Sequence, residues 1–299
     1  MSRGVAATVG CYILWGLLPI FWKMIQDIPA FEVLCHRMVW SIVVLLILLT
    51  WRAQWRWIAD IGNNPRGLIL YLLAALFIAV NWYTYIWAVA AGFIVETSLG
   101  YFINPLITVL LGMIFLQERL RLWQWVALGV AACGCLHLTF NYGSFPWIAL
   151  VLAFSFGFYG LLKKMGTLAS LEGLSVETAI LLIPALIYLT TLELQGGGSF
   201  VNGPATDRLL LATTGIITAV PMLLFAYGAR RVSMVTLGLL QYIAPSIQLC
   251  IGVFIYREPF PIDRMIGFVL IWTAVSIFAV DSMIRLRNVS MQAQRIQRQ

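Results

Sequence analysis

The chain has 299 residues, of which 62% are hydrophobic and only 10% are charged, and its mean hydropathy is +0.92. Ordinary soluble proteins carry about 25% charged residues, because a folded domain keeps a charged surface around its core. This composition therefore excludes a cytosolic enzyme, a secreted disulfide scaffold and a disordered tail. The net charge of +7 does not indicate a nucleic-acid partner, because the basic residues lie in short loops and form no contiguous face.

A membrane-spanning helix needs about 20 consecutive apolar residues, and the chain contains ten segments of roughly that length. We predict an all-α integral membrane protein with ten transmembrane helices. They are placed at 5–23, 32–51, 67–90, 94–116, 123–141, 147–165, 174–193, 208–229, 232–256 and 262–284. The first segment is too long for the core of a signal peptide, so we expect an uncleaved helix. Three successive glycines at 196–198 predict a flexible connection between 194 and 207.

The Lys and Arg residues are distributed unequally between the two sides of this predicted membrane protein. Fourteen of the 19 lie on the side of the N-terminus, four lie on the opposite side, and Arg37 lies within the second helix. Because cytoplasmic loops are enriched in Lys and Arg, we predict that both termini are cytoplasmic. The basic segment 285–299 is then a cytoplasmic tail that can contact membrane lipid.

The chain resembles itself when it is shifted by 140 residues. Between positions 79 and 118, nine residues are identical to the residue 140 positions later. Among them are the pairs Pro105 with Pro245 and Glu118 with Glu258. Five helices in each half give the two halves opposite orientations in the membrane. We therefore predict two inverted five-helix repeats, at 1–142 and 143–284, which is an architecture typical of secondary transporters.

No sequence motif indicates an enzyme. The chain has no GxxxxGK[ST] phosphate loop and no GxSxG nucleophile elbow, and its two histidines, His36 and His137, form no metalloprotease motif. Its five cysteines form no CxxC pair. We therefore expect no catalytic function, no metal and no cofactor. An intramembrane enzyme and a channel or receptor are the less favoured alternatives.

Four ionisable residues stand near the starts of the second and fourth predicted helices. A charge near the centre of the bilayer costs about 2.5–3.5 kcal/mol, so each needs a partner or a function. Glu32 and His36 are four residues apart and share a helix face, and Arg37 follows directly. A pair between Glu96 and Arg37 would neutralise both charges, and His36 could titrate beside them. The group is either a proton or substrate-charge relay, or a structural salt bridge between the two helices.

Two predicted helices share a stripe of polar and small residues around a proline. The stripe consists of Tyr101, Pro105, Thr108 and Gly112 in the fourth helix and of Gln241, Pro245, Gln248 and Gly252 in the ninth. Prolines kink such helices and free backbone carbonyl groups toward a polar interior. We predict that these two helices line a cavity and that Pro105 and Pro245 are hinges.

Further polar and aromatic residues are expected to face the same interior. Asn81 and Tyr85 share a face of the third helix, Trp15 lies near the middle of the first, and Asn104 is too polar to face lipid. Aromatic walls with a few amides fit a moderately apolar organic solute better than a bare ion. The predicted substrate cavity consists of Trp15, Asn81, Tyr85, Tyr101, Asn104, Gln241, Tyr242 and Gln248.

Several segments of the sequence resemble one family of membrane proteins. They are HRMVWS at 36–41, YIWAV at 85–89, VETSLGYFINPL at 95–106, ERL at 118–120 and QYIAP at 241–245. In these segments the chain resembles the RarD branch of the EamA family, within the drug/metabolite transporter superfamily. The resemblance implies ten helices in two inverted repeats, a central cavity, alternating access and a bacterial inner membrane. It also implies a link to chloramphenicol sensitivity or resistance.

We predict a secondary active transporter of small organic solutes, such as amino-acid-like metabolites or drugs, that exports them in exchange for protons. Glu96, together with His36 and Arg37, is the predicted coupling group. The alternative is an uncoupled facilitator or an importer of a metabolite, because the fold permits both directions. The expected partners are a small-molecule substrate, protons and membrane lipid, and the expected state is a monomer or a homodimer.

Overall fold

The structure is a computed structural model that describes residues 3–53, 55, 57–62, 64–91, 93–142, 145–257 and 262–296. All regular structure in these residues is helical. The helices are α1 (Arg3–Met24), α2 (Ala30–Trp51), α3 (Trp57–Gly62), α4 (Pro65–Ala90), α5 (Ile94–Leu116), α6 (Leu122–Tyr142), α7 (Trp147–Met165), α8 (Ser170–Leu194), α9 (Ser199–Asn202), α10 (Ala205–Ala229), α11 (Met234–Gln241), α12 (Ile243–Cys250) and α13 (Ile262–Ile296). A π-helical turn, Ile251–Ile255, continues directly from α12.

Nine segments of the described chain are long and apolar enough to cross a membrane, so the protein is a multi-pass membrane protein. Eight of them are α1, α2, α4, α5, α6, α7, α8 and α10. The ninth, Met234–Ile255, comprises α11, α12 and the π-helical turn. Their ends differ from the first nine predicted spans by a few residues only. The tenth predicted span lies within α13, where the apolar stretch Met265–Asp281 is shorter than the other nine.

The packing of the long helices brings both halves of the chain together. α2 packs between α8 and α10, and α1 packs against α10 and α12. α4 contacts α7 and α8, while α5 contacts α7 and α11. α6 and α13 lie side by side. Helices of the first half of the sequence are therefore surrounded mainly by helices of the second half.

Two side chains fix the start of α11. Ser233 Oγ accepts a hydrogen bond of 3.1 Å from the backbone N–H of Thr236. The carboxylate of Glu118 accepts hydrogen bonds of 2.8 and 3.0 Å from the N–H groups of Met234 and Val235. Because the first N–H groups of a helix have no partner within the helix, these side chains satisfy them and hold α11 against the end of α5.

The connection between α8 and α10 is tied to α2, whereas the sequence predicted only a flexible loop. It contains α9, and the backbone N–H and hydroxyl groups of Ser199 donate hydrogen bonds of 2.7 and 2.9 Å to the carboxylate of Glu32. The ring of Phe200 lies 5.2 Å from that of His36 and 5.8 Å from that of Trp40. Glu32 therefore holds this connection, a contact that spans 167 residues and that local sequence does not reveal.

Candidate functional site

A cavity of about 210 Å³ lies between α1, α2, α4, α5, α7, α10, α11 and α12. Helices from both halves of the sequence therefore form its wall. Most of the predicted cavity residues line it, namely Trp15, Asn81, Tyr85, Tyr101, Asn104, Gln241 and Gln248. The structure thus brings seven of the eight together, and their roles in binding stay predictions.

Aromatic rings form a large part of the cavity wall. The ring of Trp15 lies 5.8 Å from that of Tyr12 and 5.6 Å from that of Phe156. The rings of Tyr85 and Tyr101 lie 6.0 Å apart at an angle of 68°. Tilted and edge-to-face contacts of this kind are favourable for aromatic pairs. These contacts give the cavity a rigid, apolar wall that can bind a planar or aliphatic group of a solute.

Arg37 is the only charged side chain among the described residues that line the cavity. Its guanidinium carbon lies 5.1 Å from the ring of Trp22 and 4.9 Å from the ring of Trp82. Its Nε donates a hydrogen bond of 2.9 Å to Thr218 Oγ1. Such cation–π contacts contribute about 0.5–2 kcal/mol each, against about 2.5–3.5 kcal/mol for a charge in the hydrocarbon region. The neighbours therefore offset the cost of this cation without neutralising it.

Two cavity amides also connect neighbouring helices. Asn81 Nδ2 donates hydrogen bonds of 2.9 Å to the carbonyl oxygen of Leu152 and 3.0 Å to Ser155 Oγ, which joins α4 to α7. Gln248 Nε2 donates a hydrogen bond of 3.2 Å to the carbonyl oxygen of Trp15, which joins α12 to α1. These bonds hold both amides in defined orientations at the cavity wall.

The other two amides of the wall have different surroundings. Asn104 Oδ1 accepts a hydrogen bond of 3.4 Å from the hydroxyl group of Thr108, one turn further along α5. Gln241 Oε1 is buried, and it has no hydrogen-bond partner among the described residues. A buried acceptor without a partner costs about 1–3 kcal/mol. The amide oxygen of Gln241 is therefore available to a donor group of a bound solute.

The two predicted hinge prolines lie next to the cavity. Pro105 is within α5, and Pro245 lies in α12 and lines the cavity, three residues after the break between α11 and α12 at Tyr242. Proline has no N–H, so each removes the helical hydrogen bond to the carbonyl group four residues earlier. Those carbonyl groups belong to Tyr101 and Gln241, which both line the cavity. Their role as hinges stays a prediction.

Tyr242, the eighth predicted cavity residue, points away from the cavity. Its hydroxyl group donates a hydrogen bond of 3.2 Å to the carbonyl oxygen of Phe102. Its ring is fully buried in an apolar cluster with Phe268 and Ile271 of α13. Successive residues of a helix are turned by about 100°. With Gln241 facing the cavity, its neighbour therefore faces the cluster behind.

The structure gives Glu96, His36 and Arg37 separate surroundings. Glu96 is buried and accepts a hydrogen bond of 3.3 Å from the backbone N–H of Ile148, at the start of α7. His36 Nε2 lies 3.9 Å from Glu32 Oε1. The predicted pair between Glu96 and Arg37 is not found among the ion pairs of the described residues, because Arg37 turns into the cavity while Glu96 borders α7.

The sequence interpretation missed a buried ion pair between α7 and α8. Lys163 Nζ lies 2.8 and 3.0 Å from the two carboxylate oxygens of Glu177, and the hydroxyl group of Tyr159 donates a hydrogen bond of 3.1 Å to the same carboxylate. Lys163 is 5% exposed and Glu177 is 2% exposed. The position of Glu177 within the predicted span 174–193 was the feature that could have revealed it. Lys163 lies in the last turn of α7, where its position in the sequence gives no sign of burial.

Comparisons with known proteins give a consistent result. The model of the EamA-like transporter family matches residues 2–140 and again residues 145–280. Protein RarD of Streptomyces exfoliatus is 46% identical over 94% of this chain and 89% of its own length. The uncharacterized transporter YojE of Bacillus subtilis is 45% identical over 93% of both chains, and protein RarD of Escherichia coli is 39% identical over 96% of this chain and 97% of its own.

A solved crystal structure has the same fold. It superimposes with a TM-score of 0.68 at 17% sequence identity, and the match covers 92% of this chain and 97% of the other. At this level of identity the similarity extends to the fold alone.

Proposed function

Because this chain belongs to the EamA-like transporter family, we propose that it is a secondary active transporter that moves small organic solutes across the membrane by alternating access. The observation that carries this proposal is the cavity of about 210 Å³ whose wall is shared by helices of both halves of the sequence. A site at the interface of two halves becomes accessible from either side when one half moves relative to the other.

We propose further that the chain forms two inverted five-helix repeats, 1–142 and 143–284, with α13 as the tenth span. The helix contacts support this, because they keep the same pattern when the halves are exchanged. The contact of α5 with α7 corresponds to that of α12 with α1, and that of α4 with α7 corresponds to that of α10 with α1. The contacts of α2 with α8, α5 with α11 and α6 with α13 each join two equivalent helices, so they stay the same when the halves are exchanged. The two separate matches to the family model have nearly the same boundaries.

Individual packing contacts follow the same correspondence. A Cβ atom on Gly16 would lie 2.7 Å from Ile247, and a Cβ atom on Gly157 would lie 3.1 Å from Ile107. Gly157 aligns with Gly16 at an offset of 141, and Ile107 aligns with Ile247 at an offset of 140. Glycine permits close approach of helices in membranes. The same contact between a glycine and an isoleucine therefore occurs at equivalent positions of the two proposed repeats.

The membrane and the topology are part of this proposal. Fourteen of the 19 Lys and Arg residues fall on the side of the N-terminus, which supports cytoplasmic termini. The relatives named above come from bacteria, which supports the bacterial inner membrane. Export is the proposed direction, and an uncoupled facilitator or an importer is the alternative.

We propose proton coupling through Glu96. Its buried carboxylate joins α5, which lines the cavity, to the start of α7 through the N–H of Ile148. A protonated carboxyl group is a weaker acceptor than a carboxylate, so proton binding would loosen this contact between two helices of the cavity wall. His36 and Arg37, both on α2, are the other residues of the proposed coupling set.

The test is proton flux in proteoliposomes that contain a pH-sensitive dye. Amino acids, small aromatic compounds and chloramphenicol are added to the wild type and to Glu96→Gln. We expect a solute-dependent proton flux in the wild type that is lost in Glu96→Gln. Glu172→Gln is the matched control, because Glu172 also accepts a backbone N–H at a helix start, at 2.9 Å, but lies outside the cavity wall. Solute flux without proton flux would support the uncoupled alternative.

A further inference from the structure

The charge of Arg37 has no counter-ion within the described part of the protein. The ion pairs found there join other residues. Among the described residues, Nε of its guanidinium group donates a hydrogen bond to the hydroxyl group of Thr218, and the group lies against the rings of Trp22 and Trp82. A guanidinium group has five N–H donors in a fixed fork, so most of them stay available at the cavity wall.

A cation held in this way selects for a particular kind of solute. Buried charges in proteins are normally paired, and a guanidinium group binds a carboxylate through two parallel hydrogen bonds. Because none of the described residues of the cavity wall is acidic, the anion has to arrive with the solute. The guanidinium group of Arg37 would repel an ammonium or guanidinium group of a solute. A neutral solute would leave the charge of Arg37 uncompensated.

The remaining features of the wall define the rest of the solute. Gln241 Oε1 is a buried acceptor without a partner among the described residues, so it fits an O–H or N–H donor. The aromatic rings of Trp15, Tyr85 and Tyr101 fit a flat apolar body. A cavity of about 150 Å³ can hold benzene, and the cavity here has about 210 Å³. One ring with a carboxylate and one small polar substituent therefore fills it.

We propose that the cavity binds a small organic monoanion with a carboxylate, a single ring or apolar body of similar size, and a hydrogen-bond donor. Arg37 binds the carboxylate and Gln241 accepts the donor. This inference rests on the proposed transport function for the use of the cavity, and it names the chemical class of the substrate.

The test is isothermal titration calorimetry of the purified full chain in detergent micelles, which measures binding without transport. The probes are 4-hydroxybenzoate, its neutral analogue 4-hydroxybenzamide, and benzoate, which lacks the hydroxyl donor. We expect 4-hydroxybenzoate to bind about tenfold or more tightly than 4-hydroxybenzamide, because hydrogen bonds to a charged group are stronger than neutral ones. Benzoate should bind with intermediate affinity.

Variants assign the discrimination to the two side chains. Arg37→Gln should reduce the affinity for 4-hydroxybenzoate about tenfold or more, to that of the amide, while Arg37→Lys keeps the preference for the acid. Gln241→Met should remove the difference between 4-hydroxybenzoate and benzoate. Arg208→Gln is the control, because Arg208 is exposed and contacts only the carbonyl oxygen of Gly203 among its hydrogen-bond partners. If Arg37→Gln does not fold, the test uses the wild type and Arg37→Lys. Their preference for 4-hydroxybenzoate over 4-hydroxybenzamide then decides whether the proposal holds.

The outcomes separate this inference from the proposed function. Equal affinity for acid and amide, or no binding of the acid, would overturn the substrate class. Flux of neutral or cationic solutes in proteoliposomes that Arg37→Gln does not change would also overturn it, while leaving the transport function standing. Binding of the acid that depends on Arg37, together with no flux of any solute, would support the binding site and contradict the transport function.

Discussion

The hydroxyl group of Tyr242 donates a hydrogen bond of 3.2 Å to the carbonyl oxygen of Phe102, and the two residues are 140 positions apart. The thiol group of Cys135 donates to the same oxygen at 3.1 Å. One carbonyl group of α5 thus joins α6 and the junction of α11 and α12. Since 140 is also the offset at which the two halves of the sequence align, this bond connects corresponding positions of the two proposed repeats.

Replacing this tyrosine tests the placement of its side chain outside the cavity. Tyr242→Phe removes one buried hydrogen bond, so we expect the free energy of unfolding to fall by about 0.5–1.5 kcal/mol. Solute binding should not change. Thermal unfolding and calorimetric titration in detergent measure the two effects. The control is Tyr83→Phe, because Tyr83 is 58% exposed. If Tyr242→Phe lost solute binding at unchanged stability, this would contradict the placement of Tyr242 outside the cavity wall.

The buried pair of Lys163 and Glu177 should behave as a unit. Removing one partner of a buried ion pair leaves an uncompensated charge and costs about 3–5 kcal/mol, whereas replacing both with apolar residues is often neutral. We therefore expect Lys163→Met and Glu177→Leu each to lower the free energy of unfolding by that amount. The double variant should lose much less than the sum of the two. A double-mutant cycle of unfolding free energies measures the coupling.

The matched comparison for this cycle is the ion pair between Arg121 and Asp281. Their atoms approach to 2.9 Å, but the Arg121 side chain is 38% exposed. Exposed pairs contribute about 0–1 kcal/mol, so a cycle on this pair should give a small coupling energy. Additive effects of Lys163→Met and Glu177→Leu would contradict the interpretation of the buried pair as one unit.

Close packing of α5 and α11 depends on Gly238. A Cβ atom at this position would lie 2.7 Å from the carbonyl oxygen of Pro105, which is backbone and cannot move aside easily. We expect Gly238→Ala to destabilise the protein by about 1–3 kcal/mol, as overpacking does. Gly129→Ala in α6 is the control, because no atom of another described helix lies within 4 Å of a Cβ atom there. It should be neutral or stabilising by about 0.4–1 kcal/mol, since alanine favours the helix. If Gly238→Ala and Gly129→Ala changed the free energy of unfolding equally, the contact with the carbonyl oxygen of Pro105 would not be the cause.

The sequence could predict the helices and most of the cavity wall for a physical reason. An apolar segment of about 20 residues can cross lipid as a helix, which satisfies its backbone hydrogen bonds internally. Amides such as Asn81 and Gln248 are too polar to face lipid, so they mark the interior. The break in the ninth span was not predictable in detail. Tyr242 lies at this break and faces the apolar cluster with α13, while its neighbour Gln241 faces the cavity.

Charged residues were harder to assign because their partners are distant in sequence. Glu32 binds Ser199, and Glu118 binds the start of α11. Each acceptor satisfies backbone N–H groups on another helix, and no local pattern encodes such a contact. The predicted partner of Arg37 was therefore an acidic residue of the chain, whereas the structure surrounds it with aromatic rings and a hydroxyl group.

The proposed hinge at Pro245 can be tested by restoring the missing hydrogen bond. Pro245→Ala supplies an N–H for the carbonyl group of Gln241, so stability should stay equal or rise by up to about 3 kcal/mol. If the proline permits bending of α12 during transport, the solute flux in proteoliposomes should fall several-fold. Pro184→Ala is the control, because Pro184 also lies inside a membrane-spanning helix but not at the cavity wall. It should leave the flux unchanged, and equal flux in both variants would show that Pro245 is not a hinge.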